Sequence, residues 1–204
     1  MRLISVDMQN DFASSGGSHY GGQPCTEFVT HTALPFLHTH GLPVAEIVSD
    51  YRTTGGSPED ETCAPGQWGY ESTIPSDMRR AEPWVKASIS PTWVRDGGGD
   101  ASAVPGHPRS DPTGFTNWLR TAIGPPDSET PVVLVGLLLE VCVLASLIEI
   151  KLRGHPVAVL VEGVDAADGD QQRKRELLDT LTGFWGAPIS WSQFTARAAT
   201  QLGG

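Results

Sequence analysis

The apolar residues of this chain fall into short dense runs divided by longer polar stretches. Residues 2–6 (RLISV), 43–49 (PVAEIVS), 132–136 (VVLVG) and 156–162 (PVAVLVE) are nearly continuous apolar runs. That is the pattern of strands buried on both faces of a parallel sheet. Residues 84–88 (WVKAS) and 187–191 predict two shorter strands. Between the runs the spacing changes, and apolar residues recur at helical intervals over 27–40, 116–123, 142–152 and 171–182. The first of these helices contains Pro35, which predicts a kink or a late start, and the third ends in Lys151, Arg153 and Gly154, as helix C-termini do. Strands alternate with helices along the whole length, so the predicted fold class is α/β. The expected architecture is a doubly wound, three-layer α/β/α arrangement around a mostly parallel sheet, in one domain over residues 1–204. Residues 96–113 hold three consecutive glycines and three prolines. They predict an insertion or lid over the sheet edge, or a plain surface linker.

In open sheets of this kind, side chains at the strand carboxyl ends face the ligand crevice. Asp7, Asp50 and Cys142 all fall at such ends. Cys142 sits where a strand turns into a helix, beside the positive end of the helix dipole, which lowers a thiol pKa. The same position also suits a small buried core residue. Asp7 by itself could be a turn or capping residue. Lys86 is one of three lysines and lies on a strand. A strand lysine usually marks an edge and points to water. Turned into the crevice, its charge would need a partner, and Asp7 is a natural candidate. His31, His38 and His40 cluster in sequence, but residues two apart on a helix face different sides, so a solvated helix end accounts for them.

Composition narrows the classes of partner. The 204 residues carry a formal net charge of −10, which disfavours nucleic acid and anionic membrane surfaces. No apolar run approaches the ~20 residues of a membrane span, and nothing at the N-terminus reads as a signal peptide. The three cysteines, Cys25, Cys63 and Cys142, show no metal-ligand spacing and cannot all pair with one another, which fits a reducing cytoplasm.

Three motifs in chain order carry a family resemblance. They are VDMQNDF (6–12), WVKASISPTW (84–93) and VGLLLEVCVLAS (135–146), with a weaker fourth, VAVLVEGVDAA (157–167). Together they resemble the isochorismatase-like cysteine hydrolases, the superfamily of nicotinamidase and N-carbamoylsarcosine amidohydrolase, over nearly the whole chain. The resemblance implies a catalytic triad of Asp7, Lys86 and Cys142. In it, the Lys86 ammonium and the helix N-terminus would stabilise a Cys142 thiolate, with Asp7 as the base. It also implies an oxyanion hole made by the backbone N–H groups of Leu138 and Cys142, the former reached through a cis peptide bond. The implied activity is hydrolysis of a small amide, carbamoyl or lactam-type C–N bond through a thioester, without cofactor, in a homo-oligomer. The same fold could use its thioester for acyl transfer or another tailoring step in natural-product metabolism. A catalytically inactive binding or scaffold protein is the reading from a different class.

The resemblance breaks in two places. Zinc-dependent nicotinamidases carry Asp-x-His after the second strand, and here that place reads Asp50-Tyr51-Arg52, with no histidine between His40 and His107. Arginine is not a zinc ligand, so no catalytic metal is expected and nicotinamide is a doubtful substrate. The run Leu137-Leu138-Leu139 is bulkier than the residues usual there, which predicts a more apolar site wall. For the small-molecule pocket the candidates are Phe12, Asn10, Trp68, Tyr70, Trp93 and Arg52. The aromatic residues suit a flat or apolar substrate body, and Asn10 or Gln9 could orient an amide. Arg52 could clamp a carboxylate, with an ion pair to Asp50 the favoured alternative. Glu140 is expected to brace the cysteine turn.

Overall fold

The structure, a computed structural model, describes residues 2–55, 61–127, 129–182 and 184–202. The four dense apolar runs form β1 (Arg2–Val6), β2 (Val44–Ser49), β6 (Val132–Gly136) and β7 (Val157–Val164). With β3 (Trp84–Lys86) and β8 (Ala187–Ile189) they make one sheet of six strands among the described residues, all parallel, in the order β3-β2-β1-β6-β7-β8. Every residue of β2 and β6 is buried, which is why these strands are mostly apolar rather than alternating, Glu46 and Ser49 of β2 being the exceptions.

The side chains of the central strands part to two faces with the two-residue period of a strand. Ile4, Val6, Val132 and Leu134 pack on one face against α4 (Pro112–Ile123), α5 (Leu144–Leu152) and α6 (Gln171–Thr182). Leu3, Val133 and Val135 pack on the other face. Their partners there are the helical segment of α2 (Pro24–Phe28) and α3 (Leu34–Thr39), together with α7 (Trp191–Leu202). The molecule is thus a three-layer α/β/α fold.

Local chemistry accounts for where the elements differ from the sequence expectation. The helix over 27–40 begins earlier, at Pro24, and runs through a π-helical turn at Val29–Ala33, where the N–H of Leu34 reaches back to the Val29 carbonyl. That wide turn precedes Pro35, which has no N–H to give, so the helix continues instead of breaking. His31, His38 and His40 are exposed along it. The helix over 116–123 starts at Pro112, because Asp111 caps it by accepting the Gly114 N–H at 2.8 Å. The insertion is correspondingly shorter than 96–113. A two-stranded antiparallel pair, β4 (Trp93–Val94) with β5 (Arg109–Ser110), pinches its base. The helix α7 was not anticipated. It opens with a capping box in which Ser190 N–H bonds Gln193 Oε1 at 2.9 Å and Ser190 Oγ accepts the Gln193 N–H at 3.3 Å.

One backbone approach positions the site. Gly136 closes β6 at φ +121°, and a Cβ there would lie 2.0 Å from the Val6 carbonyl oxygen. Only glycine lets β6 pass this close to the end of β1.

Candidate active site

The strand order reverses between β1 and β6, since β2 and β3 lie to one side of β1 while β7 and β8 follow β6 on the other. Ligand crevices in open α/β sheets open at such a switch point, beyond the strand carboxyl ends. Asp7 directly follows β1, and Cys142 lies six residues past the end of β6. Asp7 takes a left-handed conformation at φ +52°, a turn that aspartate tolerates better than most residues. The chain after Gly136 turns through a cis peptide bond at Leu137–Leu138 into a π-helical turn, Leu139–Val143, that leads into α5. Helical structure therefore begins at Leu139 rather than at Cys142. The Leu138 carbonyl accepts the N–H groups of Val141 and Val143, skipping that of Cys142 between them. The Leu138 N–H has no hydrogen-bond partner among the described residues. Leu138 and Cys142, the residues whose backbone donors the resemblance implies, both belong to this turn.

Lys86 ends β3, two strands away from β1 and about 10 Å across the sheet. Far from pointing to water, it is fully buried (0 % exposed), reaching back over β2 to Asp7 (1 %) and Cys142 (6 %). Its ammonium donates to Ser49 Oγ at 2.6 Å, to Tyr51 Oη at 2.6 Å and to Cys142 Sγ at 3.3 Å. Asp7 Oδ2, buried, lies 2.9 Å from the same nitrogen and pairs with it, so four acceptors share the three N–H groups of the ammonium. The other oxygen, Asp7 Oδ1, accepts the Ser49 hydroxyl at 2.8 Å. Tyr51 Oη stands 3.4 Å from Cys142 Sγ, and the Lys86 nitrogen is 4.8 Å from the Tyr51 ring centre.

These surroundings correct one expectation. The thiol was expected to lie low, but burial pushes Cys142 up to about 12, and the Asp7 carboxylate adds to the rise while Lys86 opposes it. Burial by itself would pull the Lys86 ammonium down. Asp7, Cys142 and Tyr51 outweigh that effect and hold its pKa above the ordinary lysine range. The resting centre is therefore a neutral thiol beside the Asp7 carboxylate and a firmly charged ammonium.

The remaining candidates divide. Phe12 stands edge-on to Tyr51, ring centres 6.5 Å apart, and stacks on His19 at 5.7 Å, so an aromatic series runs outward from the sulfur. Asn10 does not face the centre, because its amide donates to the Trp68 carbonyl and accepts from Ser14 Oγ, tying the first loop together. Arg52 is not free to clamp a substrate: its guanidinium bonds Asp50 at 3.0 and 2.7 Å, the Ala103 carbonyl at 3.1 Å and the Gly97 carbonyl at 3.0 Å. The hydroxyl of Tyr70 packs at Gly99 in the insertion, and burial, with Asp50 nearby, raises its pKa to about 12. Trp68 (49 % exposed) and Trp93 (43 %) lie on the surface, and among the described residues neither hydrogen-bonds to or stacks on Asp7, Lys86 or Cys142. Of the leucine run, Leu137 and Leu139 turn into the interior and only Leu138 is partly exposed, so the apolar wall is narrower than expected. Glu140 braces the turn by accepting the Ala167 N–H and pairing with Arg173 at 3.1 Å.

Ser49 and Tyr51 were missed as site residues. The available signal was their position flanking Asp50 at a strand end, where a serine and a tyrosine are placed to reach the crevice. The residues present do not suit a zinc site. Both Asp50 oxygens are occupied by Arg52, and no group of three or more His, Cys, Asp or Glu among the described residues could hold a metal ion.

By sequence, no protein-family model and no curated protein matches the chain. Solved structures do. The chain is similar to a nicotinamidase from Bacillus subtilis, with TM-score 0.63 and 18 % identity over 93 % of this chain and 98 % of that one. An isochorismatase-like hydrolase from Alkaliphilus metalliredigens gives TM-score 0.64 and 15 % identity over 96 % and 97 %. A cysteine hydrolase from Pseudomonas syringae pv. phaseolicola gives 0.61 and 15 % over 98 % and 92 %. With its sheet order and its two helical layers, the chain has the fold of the nicotinamidases and isochorismatase-like hydrolases.

Proposed function

We propose that this protein is a metal-independent cysteine hydrolase that cleaves a small, uncharged amide, carbamoyl or lactam-type C–N bond through a thioester. One observation carries the reading. Asp7 Oδ2 is buried 2.9 Å from the Lys86 nitrogen, and the same ammonium reaches Cys142 Sγ at 3.3 Å, so a carboxylate, a cation and a thiol share one buried site. A carboxylate within hydrogen-bond reach of a thiol, beside a cation that stabilises the thiolate, is placed to take its proton.

The steps follow from that arrangement. As Cys142 Sγ attacks the substrate carbonyl carbon, its proton passes to Asp7 Oδ2 and the carbonyl π electrons move to oxygen. The N–H groups of Leu138 and Cys142 receive the oxyanion, each such donor being worth ~3 kcal/mol in the transition state. The C–N bond then breaks, and the leaving nitrogen takes the proton from Asp7. Asp7 next draws a proton from water as its oxygen attacks the thioester, the C–S bond breaks, and the sulfur recovers its proton. Lys86 stays charged throughout and holds the sulfur's developing negative charge.

An uncharged substrate is favoured because the cations beside the centre, Lys86 and Arg52, are already committed. The aromatic series from Tyr51 through Phe12 suits a flat or apolar acyl group. The three cysteines are free and buried, which supports a reducing compartment such as the cytoplasm, and no described helix is long and apolar enough to cross a membrane.

A panel of primary amides, ureides and lactams, assayed for ammonia or amine release with chelator present, tests the reading. Release that disappears in Cys142→Ala is the expected result. No release above that variant from any class would overturn it. Release that needs added hydroxylamine would move the activity to acyl transfer.

A further inference from the structure

Tyr51 stands in neither the triad nor the oxyanion hole, yet it touches two of the triad's three members. Its hydroxyl oxygen accepts a Lys86 N–H at 2.6 Å, which fixes the direction of its lone pairs. Its single proton then has two acceptors within reach, the Ser88 carbonyl at 3.5 Å and Cys142 Sγ at 3.4 Å. For an O–H···O bond 3.5 Å is at the limit of usefulness, since such bonds cluster near 2.7–2.8 Å. For the larger sulfur atom 3.4 Å is ordinary bonding contact. The ring is held by the edge of Phe12 and by the Lys86 charge, so the hydroxyl has little freedom to leave. Burial, followed by the charge of Asp7, keeps the phenol protonated, well above the ordinary tyrosine range.

We propose that Tyr51 is a fourth catalytic residue, whose O–H donates to the Cys142 sulfur and holds its negative charge while Asp7 carries the sulfur's proton. This role rests on the cysteine-nucleophile reading above. Two donors then converge on the sulfur, the Lys86 N–H and the Tyr51 O–H. No proton leaves Tyr51, and its bond to sulfur shortens as the thiolate forms and relaxes when the C–S bond is made.

The test measures the rate of Cys142 alkylation by iodoacetamide against pH, followed by peptide mass spectrometry, and so needs no substrate. Tyr51→Phe keeps the ring and removes the donor. Loss of one hydrogen bond to a charged group should slow Cys142 alkylation roughly ten- to a hundredfold at a given pH and move its profile to higher pH. A 3-fluorotyrosine placed at position 51 alone keeps the shape and makes the hydroxyl a stronger donor, so alkylation should be faster than in the parent protein. Ser49→Ala removes another Lys86 partner without touching the sulfur and should move the profile less than Tyr51→Phe.

A Tyr51→Phe profile that superimposes on the parent, or lies on its faster side, would overturn the assignment, as would fluorotyrosine leaving the rate unchanged. The amide panel reads the hydrolase proposal separately. Slowed alkylation in Tyr51→Phe with no amine release in the parent keeps Tyr51 and discards hydrolysis. Amine release with an unchanged profile does the reverse. Cys142 alkylating no faster than Cys25 in the parent protein would remove both.

Discussion

The Arg52 guanidinium grips the Asp50 carboxylate with two bonds, Nε to Oδ1 at 3.0 Å and NH2 to Oδ2 at 2.7 Å, and both side chains are buried. Its remaining donors reach the carbonyls of Gly97 and Ala103, and Asp50 Oδ2 also accepts the Gly99 N–H at 3.0 Å. The pair therefore clamps the glycine-rich insertion to the end of β2. Arg52→Ala leaves a buried carboxylate without its counter-ion, a loss of roughly 3–5 kcal/mol. Limited proteolysis should then cut within residues 97–109 well before the rest of the chain. Protection equal to the parent's would show that the insertion is held by something else.

Asp7→Asn retains the shape of the side chain and tolerates the left-handed backbone at φ +52°. It removes the proposed base and the charge opposite Lys86. Turnover of the best amide should fall about 10²- to 10⁴-fold. Urea unfolding should show a loss of up to ~3–5 kcal/mol, because the buried ammonium loses its partner. Kinetics close to the parent's would exclude Asp7 as the base.

Cys142→Ala and Cys142→Ser should both fold, with thermal midpoints within a few degrees of the parent, since the side chain is small and each replacement fits its space. Neither should release amine from any amide. Residual turnover within about tenfold of the parent would remove the covalent mechanism.

Alkaline pH should unfold the protein in a defined window. The thiols of Cys25, Cys63 and Cys142 are all raised by burial above their ordinary value, Cys142 to about 12. From about pH 8.5 upward the unfolded chain releases these protons while the folded chain keeps them. The unfolded state then binds fewer protons, so stability falls as pH rises, by about 1.4 kcal/mol per pH unit for each thiol. Lys86 acts with the same sign, but only at higher pH. Its raised folded pKa contributes stability that is complete below about 10.4 and is lost only as pH climbs through the higher folded value. It therefore adds no slope at the start of the window. Urea midpoints between pH 7 and pH 10 should be flat at first and then drop, and Cys142→Ser should make the drop shallower by one proton. A midpoint unchanged to pH 10 would contradict the buried thiols.

The parts of this protein legible in its sequence are those set by local pattern. The strands β1, β2, β6 and β7 announce themselves because burial on both faces demands apolar residues at most positions. The charged helix α6 was visible with the same bounds, since one leucine stripe decides it. The helix α7 was not, because its buried face among the described residues is only Phe194 and Ala198, with half-buried Trp191, rather than a leucine stripe. The capping box at Ser190 was the better signal. The motifs around Asp7, Lys86 and Cys142 located the three residues but not their contact.

That contact belongs to the tertiary structure. Strand order brings the ends of β1 and β6 side by side, glycine at 136 allows them to close, and a lysine from the sheet edge crosses β2 to meet them. Hydrogen-bond direction is likewise invisible in sequence. Which atom a Lys86 N–H faces depends on Ser49 and Tyr51, placed by a strand 37 and 35 residues earlier. Burial decides the state of the sulfur, because the same thiol that a helix N-terminus would acidify in water is held neutral once its solvent is removed. The chain alone determined which chemical groups exist and which strands carry them. Packing determined their distances, their partners and their charge, since desolvation and long-range pairing arise only when distant segments meet.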